Sequence, residues 1–274
     1  MDVREFLGLS RVDESTWTFD VTERVITPGH FLYGGAGLAA GIAALEEASG
    51  RPTAWATAQY LSRAPTGARV TVSADLEVVG GRITQARATA SALGRDVLTI
   101  SAALGTGDLD APTPWMTMPD LPAPLDCPAN HVPLVMGANI FQHLESRVAL
   151  GRTVDQLDGT PGTPRSAMWI RLPGHLEPSA ATLAIFGDFV SGGAREPLGR
   201  FTFGSSLDNT LRIATLDSTE WVLCDISMHA LHGGFGQGTA YLWSERGTLL
   251  ATASQSFAAR LRDGPPTVGG EPLR

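Results

Sequence analysis

The sequence predicts an α+β fold of two tandem units, each a central helix wrapped by a curved antiparallel β-sheet. Three observations carry that expectation. Two stretches of polar/apolar alternation lie 152 residues apart and in phase: Val70, Val72, Ala74, Leu76 and Val78 in one, and Val222, Cys224, Ile226, Met228 and Ala230 in the other. An apolar, glycine-containing helix precedes each stretch. Between the halves, residues 105–135 carry Pro112, Pro114, Pro119, Pro122, Pro124, Pro128 and Pro133, which no helix or central strand accepts.

The first helix opens at Gly34–Gly35 and runs through GAGLAAGIAALEEASG. In the strand that follows, Arg69, Thr71, Ser73, Asp75 and Glu77 alternate with the apolar set, the period of a half-buried strand. The glycine turn repeats (Gly81 and Gly233), as do Gln85 with Gln237, Ala88 with Ala240 and Leu98 with Leu250. The second helix is read over 178–194, PSAATLAIFGDFVSGGA, in which Asp188 is the lone charge. Broken by Gly187 and Gly192–Gly193, it is too short for a membrane span. Small residues on helices and facing strands (Gly37, Ala40, Gly41; Ala251, Ala253) let backbone approach backbone. The expected organisation is an N-terminal unit 1–104, a proline-rich linker 105–135, a C-terminal unit 136–262 and a flexible tail 263–274.

Composition excludes several functions. All 20 basic residues are Arg, so neither a Schiff-base lysine nor a Walker-type phosphate loop is available. A net charge of −8 argues against nucleic acid, whose phosphates need a basic surface. Cys127 and Cys224 make no disulfide framework, and MDVREFLGLSRVD holds no secretory core. A cytoplasmic protein away from the membrane is expected.

Candidate chemistry starts at Asp188. A carboxylate in a helix apolar on nearly every side loses hydration and needs partners or a raised pKa. It is therefore a candidate base; the rival reading has the helix fraying toward Gly192 and Asp188 pointing into water. Gly35-Ala36-Gly37-Leu38-Ala39-Ala40 satisfies a dinucleotide fingerprint. However, His30–Tyr33 is too short for the required strand, and Trp55 stands where an acid belongs. Cys224, His229 and His232 could suggest a metal, but strand alternation puts the two histidines on opposite faces. No G-x-S-x-G elbow occurs.

On the last strand, Leu249, Ala251, Ala253, Gln255 and Phe257 share a face that is apolar except at Gln255, whose first-half counterpart is Ala103. A buried amide there must find hydrogen bonds, with another polar group or with a sheet edge. A further polar cluster, Ser205-Ser206-Leu207-Asp208-Asn209-Thr210, is muted in the first half as Thr57-Ala58-Gln59-Tyr60-Leu61. These polar positions in one copy only suggest that one copy kept the chemistry.

The Gly-Gly helix opening, Ser206-Leu207-Asp208-Asn209, Glu220-Trp221-Val222-Leu223, the turn to Gly238, and Gly247-Thr248-Leu249-Leu250-Ala251 leading to Gln255 and Arg260 together resemble the acyl-CoA thioesterase II family. The resemblance spans roughly residues 30–260 and is more specific in the second half; the Lys-free, Arg-rich style is similar to its actinobacterial branch. It implies a double hot-dog fold and hydrolysis of acyl-CoA to free acid and CoA without a cofactor. It also implies a trio of Asp188, Ser206 and Gln255 that holds and activates the attacking water, Ser replacing the family's Thr. The family's Asp-His-Ser strand motif is Asp208-Asn209-Thr210 here, so its histidine is lost. Backbone N–H groups at the first helix's N-terminus, at Gly35, are expected to polarise the substrate carbonyl. The partner is then an acyl-CoA, and the assembly a homodimer or higher homo-oligomer. A hot-dog hydratase or dehydratase, needing an Asp–His pair such as Asp188–His229, and a non-catalytic acyl-CoA-binding protein are the alternatives.

Overall fold

A computed structural model describes residues 2–109, 115–130, 137–172 and 178–261. In chain order its helices and strands are α1 (Val3–Leu7), β1 (Ser10–Arg11), β2 (Thr16–Asp20), α2 (Gly34–Ser49), β3 (Thr53–Tyr60), β4 (Arg69–Val79), β5 (Ile83–Ala92) and β6 (Arg95–Gly105). There follow α3 (Ile140–His143), β7 (Glu145–Leu150), β8 (Arg165–Arg171), α4 (Ala180–Gly187), α5 (Arg195–Leu198), β9 (Thr202–Ser206), β10 (Asp208–Ile213), β11 (Val222–His232), β12 (Phe235–Ser244) and β13 (Leu249–Leu261). The strands form a single sheet in the order β1-β2-β4-β5-β6-β3-β10-β13-β12-β11-β8-β7, with β9 paired to β13. Among the described residues every pairing between strands is antiparallel. This is the α+β, double hot-dog architecture.

The two halves meet at β3 and β10. There Thr57 pairs with Thr210 and Ala58 with Asn209. Shifting each residue by the repeat offset of 152 exchanges these two pairs, so a local twofold axis passes between them. The Thr57 and Thr210 hydroxyls are hydrogen-bonded across it at 2.7 Å. The repeat also extends to irregularities: β4 is bulged between Leu76 and Val78 and β11 between Met228 and Ala230, one repeat apart. Matching bulges bend both strands at the same place, as a sheet that curls around a helix requires.

The helices are the core. From Gly35 to Leu45 every residue of α2 is buried, and so is every residue of α4. Close approach explains the small residues: a Cβ on Gly37 would lie 2.7 Å from the Leu98 side chain, and one on Gly187 3.0 Å from the Ala253 Cβ. The α2 terminus at Gly50, where φ is 66°, is the left-handed position that glycine takes without strain.

Two local expectations are revised. The second helix is shorter than 178–194. It runs over Ala180–Gly187, Asp188 is its C-cap, and a 3₁₀ turn covers Val190–Ala194 before α5. The glycines that excluded a membrane span also end this helix. Secondly, part of the proline-rich segment is packed. Met118, Leu121 and Cys127 lie with Trp169, Trp221, Leu223 and Trp243 in a separate apolar cluster, and the Trp169 indole donates to the Pro122 carbonyl at 2.9 Å. This covers the outer face of β8, β11 and β12. That face carries the buried Trp221, Leu223 and Asp225 where the first half has Arg69, Thr71 and Ser73, of which Arg69 and Ser73 are exposed. The proposed tail, 263–274, lies outside the described residues.

Candidate active site

Asp188 lies where α4 ends against the start of α2, and the packing of those two helices dictates its surroundings. A Cβ on Gly35 would come within 2.8 Å of the Ala184 carbonyl and 2.9 Å of the Asp188 Cβ; one on Gly34 would come within 2.8 Å of Asp188 Oδ2 and 2.9 Å of Tyr60 Cζ. Glycine at both positions therefore lets the Asp188 carboxylate reach the α2 N-terminus. The Gly35 N–H donates to Asp188 Oδ2 at 2.7 Å. An anion at a helix N-terminus meets unsatisfied N–H groups and the positive end of the dipole.

The other oxygen collects side chains from the strands below. Asp188 Oδ1 accepts from Asn209 Nδ2 at 3.2 Å, from the Ser206 hydroxyl at 3.4 Å and from Gln255 Nε2. Gln255 Nε2 also donates to Ser206 Oγ at 3.0 Å, while its Oε1 accepts the Ser191 N–H at 3.0 Å. The four side chains come from the end of α4 and from β9, β10 and β13. Asp188 is only 4 % exposed and Gln255 2 %. Burial, which penalises the charged form, pushes the Asp188 pKa up to about 6, against the opposing pull of the Gly35, Asn209, Gln255 and Ser206 hydrogen bonds.

The structure thus brings together Asp188, Ser206, Gln255 and Gly35. The Gly35 N–H is taken up by the carboxylate itself rather than left open for a carbonyl. Two further residues join them that sequence reasoning passed over. Asn209 belongs to the polar run Ser205–Thr210 and stands at the family's motif histidine, but nothing in the sequence assigns it a role; its amide holds the carboxylate, with its own Oδ1 buried and unpartnered. The Tyr60 hydroxyl is buried without a partner, and its ring, like Asp188 Oδ2, abuts Gly34. Burial and the nearby Asp188 charge raise its pKa well above the ordinary tyrosine value, which keeps it a proton donor. Asn209 was within reach as the polar residue of an otherwise apolar strand face; Tyr60 comes from the other half of the chain and carries no local signal.

The cluster opens on a cavity of about 340 Å³, a volume typical of small-molecule sites. Leu32, Leu98, Phe141, Leu144, Met168 and Phe189 are among its apolar lining. Tyr33, Phe141 and Phe189 pack edge to face in it, with centroids 5.6 and 6.3 Å apart. No histidine lines it among the described residues. His229 is exposed and bonds Thr239 at 3.2 Å, which leaves the Asp–His pair of a hydratase without support. Among the described residues no group of His, Cys, Asp and Glu is arranged to hold a metal ion, and no helix is long and apolar enough to cross a membrane.

Comparisons with solved structures define the class of protein first. A hot-dog-fold protein from Alicyclobacillus acidocaldarius superposes with a TM-score of 0.80 at 18% identity, covering 96% of this chain and 98% of that one. A thioesterase from Novosphingobium aromaticivorans matches at 30% identity over 93% of this chain and 98% of that chain, with a TM-score of 0.80. An acyl-CoA thioesterase II from Mycobacterium marinum matches at 18% identity over 96% and 100%, with a TM-score of 0.74. A search of curated protein sequences gave no match. The family model for the acyl-CoA thioesterase C-terminal domain matches residues 110–259. The chain belongs to the acyl-CoA thioesterase II family, and its activity is thioester hydrolysis.

Proposed function

We propose that the protein hydrolyses acyl-CoA to a carboxylic acid and CoA, with Asp188 as general base. The observation that carries this reading is a buried carboxylate, its pKa raised to about 6, fixed by four donors on the wall of an apolar cavity. Such a group is deprotonated at neutral pH yet basic enough to take a proton. Ser206 and Gln255, already bonded to each other and to the carboxylate, hold the water. Its oxygen attacks the thioester carbon while Asp188 takes its proton. The tetrahedral oxyanion then collapses, the C–S bond breaks, and the proton on Asp188 passes to the departing CoA sulfur. Acid and thiol are the products, and the carboxylate is restored.

The oxyanion needs donors. Because the Gly35 N–H is committed to Asp188, we assign this task to the neighbouring Gly34 N–H, which has no intrahelical acceptor at the first position of α2, and to the Tyr60 hydroxyl. Gly35 then acts on the substrate indirectly, by aiming the base. Asn209 supplies a donor to the carboxylate in place of the family's histidine, so the loss of that histidine is compatible with turnover. The proposed setting is cytoplasmic, as a homodimer or higher homo-oligomer, with no cofactor in the reaction.

Asp188→Asn, which keeps the shape and removes the base, tests the assignment. Thiol release from a series of acyl-CoAs should fall by at least a thousandfold, with acyl-CoA binding and the folded state retained. Unchanged turnover would remove Asp188 from the mechanism; binding without turnover in the unmutated protein would favour the acyl-binding alternative.

A further inference from the structure

The cavity has a second polar end that the hydrolytic reading leaves unused. Arg195, on α5, lines it. Its Nε is out of solvent and has no hydrogen-bond partner, and among the described residues no neighbouring charge acts on its titration, only burial. Its neighbour Glu196 is engaged elsewhere, paired with Arg152 at 3.1 Å. What holds Arg195 is the ring of Phe201, 4.4 Å below the guanidinium carbon, an orientation that cation–π attraction favours. Phe201 is in turn packed edge to face on Phe203, with centroids 4.9 Å apart. The same wall holds Thr202, 2 % exposed, whose hydroxyl is also buried without a partner. A sheltered donor with no acceptor is destabilising, and two on one cavity wall mark a place where a ligand supplies what the fold does not.

The distance to the reaction centre follows from the backbone. Thr202 and Ser206 are four residues apart on β9, about 13 Å at the rise of a strand. Asp188 and Arg195 are joined by the 3₁₀ turn, seven residues that span about 10–14 Å at helical rises. Both figures are upper bounds on the backbone separation.

We infer that Arg195 is a recognition site for a carboxylate carried on the acyl group, so that the preferred substrates are thioesters of acids bearing a second, distal anionic group. The inference rests on the hydrolytic reading and names its substrate class. A guanidinium presents a planar fork that pairs with both carboxylate oxygens, and a sheltered one discriminates strongly against a chain that leaves it unpaired. Burial pushes the Arg195 pKa down to about 10, which leaves it cationic at neutral pH. The phosphates of the CoA carrier have other candidates: Arg63 and Arg260 also line the cavity, and both are exposed to solvent.

The test compares ω-carboxyl acyl-CoAs with plain acyl-CoAs of matched length, and then the same pairs as N-acetylcysteamine thioesters, which lack phosphate. The expected result is a preference of at least tenfold in kcat/KM for an ω-carboxyl group on both carriers. Arg195→Gln should reduce that preference at least tenfold, and Arg195→Lys should retain part of it; the Lys variant and the unmutated protein keep the test intact if the Gln variant folds poorly. Release without discrimination in the unmutated protein would overturn the Arg195 site. So would an Arg195→Gln defect that is equal for charged and plain acyl groups and confined to CoA, which would assign Arg195 to the carrier phosphates. No thiol release from any compound would instead overturn the hydrolytic reading on which the site rests.

Discussion

The raised pKa of Asp188 has a thermodynamic consequence that needs no substrate. In the unfolded chain the group titrates at 3.8 and in the fold at about 6, so the native state binds a proton more tightly than the unfolded state between those values. A group with a raised folded pKa contributes stability that is fully present below its unfolded value and lost as pH rises through its folded value. The shift of about two pKa steps, at ~1.4 kcal/mol each, amounts to about 3 kcal/mol. Asp188→Asn removes this titration. The side chain of Asn also loses the acceptor for the Gly35 N–H, which offsets the variant's stability by an amount that does not vary with pH. The unfolding free energy of Asp188→Asn minus that of the unmutated protein should therefore rise by about 2 kcal/mol between pH 4 and pH 6.5, the rest of the change lying below pH 4, and level off above. Urea unfolding followed by fluorescence and circular dichroism across that range measures it. Other carboxylates titrate in the same window, but they titrate in both proteins and cancel in the difference. A flat or falling difference would refute the claim that burial governs this carboxylate.

Other substitutions address the supporting residues. Gly35→Ala forces a methyl against the Ala184 carbonyl and the Asp188 Cβ, both within 2.9 Å; it should destabilise the protein by about 1–3 kcal/mol, seen in the urea midpoint, and reduce kcat. Tyr60→Phe removes a buried, unpartnered hydroxyl; stability should hold or rise while kcat falls 10²-fold or more with little change in KM, as for a lost oxyanion donor. Asn209→Ala takes one donor from the Asp188 carboxylate; the acidic limb of the pH–rate profile should move to higher pH, read from kcat/KM.

The contrast between strand and site shows what a single sequence exposes. The alternation over Val70–Val78 and Val222–Ala230 is a local property, set by the period of a half-buried strand, and the structure places β4 and β11 on those residues. Asp188 and Gln255 stood out because each is polar where its neighbours are apolar, and Ser206 because it lies in a polar run that the first half mutes and at a position the family resemblance marks. The end of α4 at Gly187 did not stand out, because an apolar run with glycines reads equally as one helix or as a helix followed by a 3₁₀ turn. Nor did the burial of Trp169, Trp221 and Trp243, since the chain that covers them is proline-rich and has no periodicity of its own. Tyr60 was invisible for a different reason. It comes near Asp188 only at Gly34, a proximity of residues 128 positions apart that arises from the tertiary fold alone.

The central claim is that Asp188 is the base of the reaction, and the pH dependence of kcat/KM for acyl-CoA hydrolysis tests it most directly. It should show a single acidic limb with its midpoint near 6, activity falling tenfold per pH step below it and reaching a plateau above pH 7. A rate that is level from pH 5 to pH 8 would contradict the account.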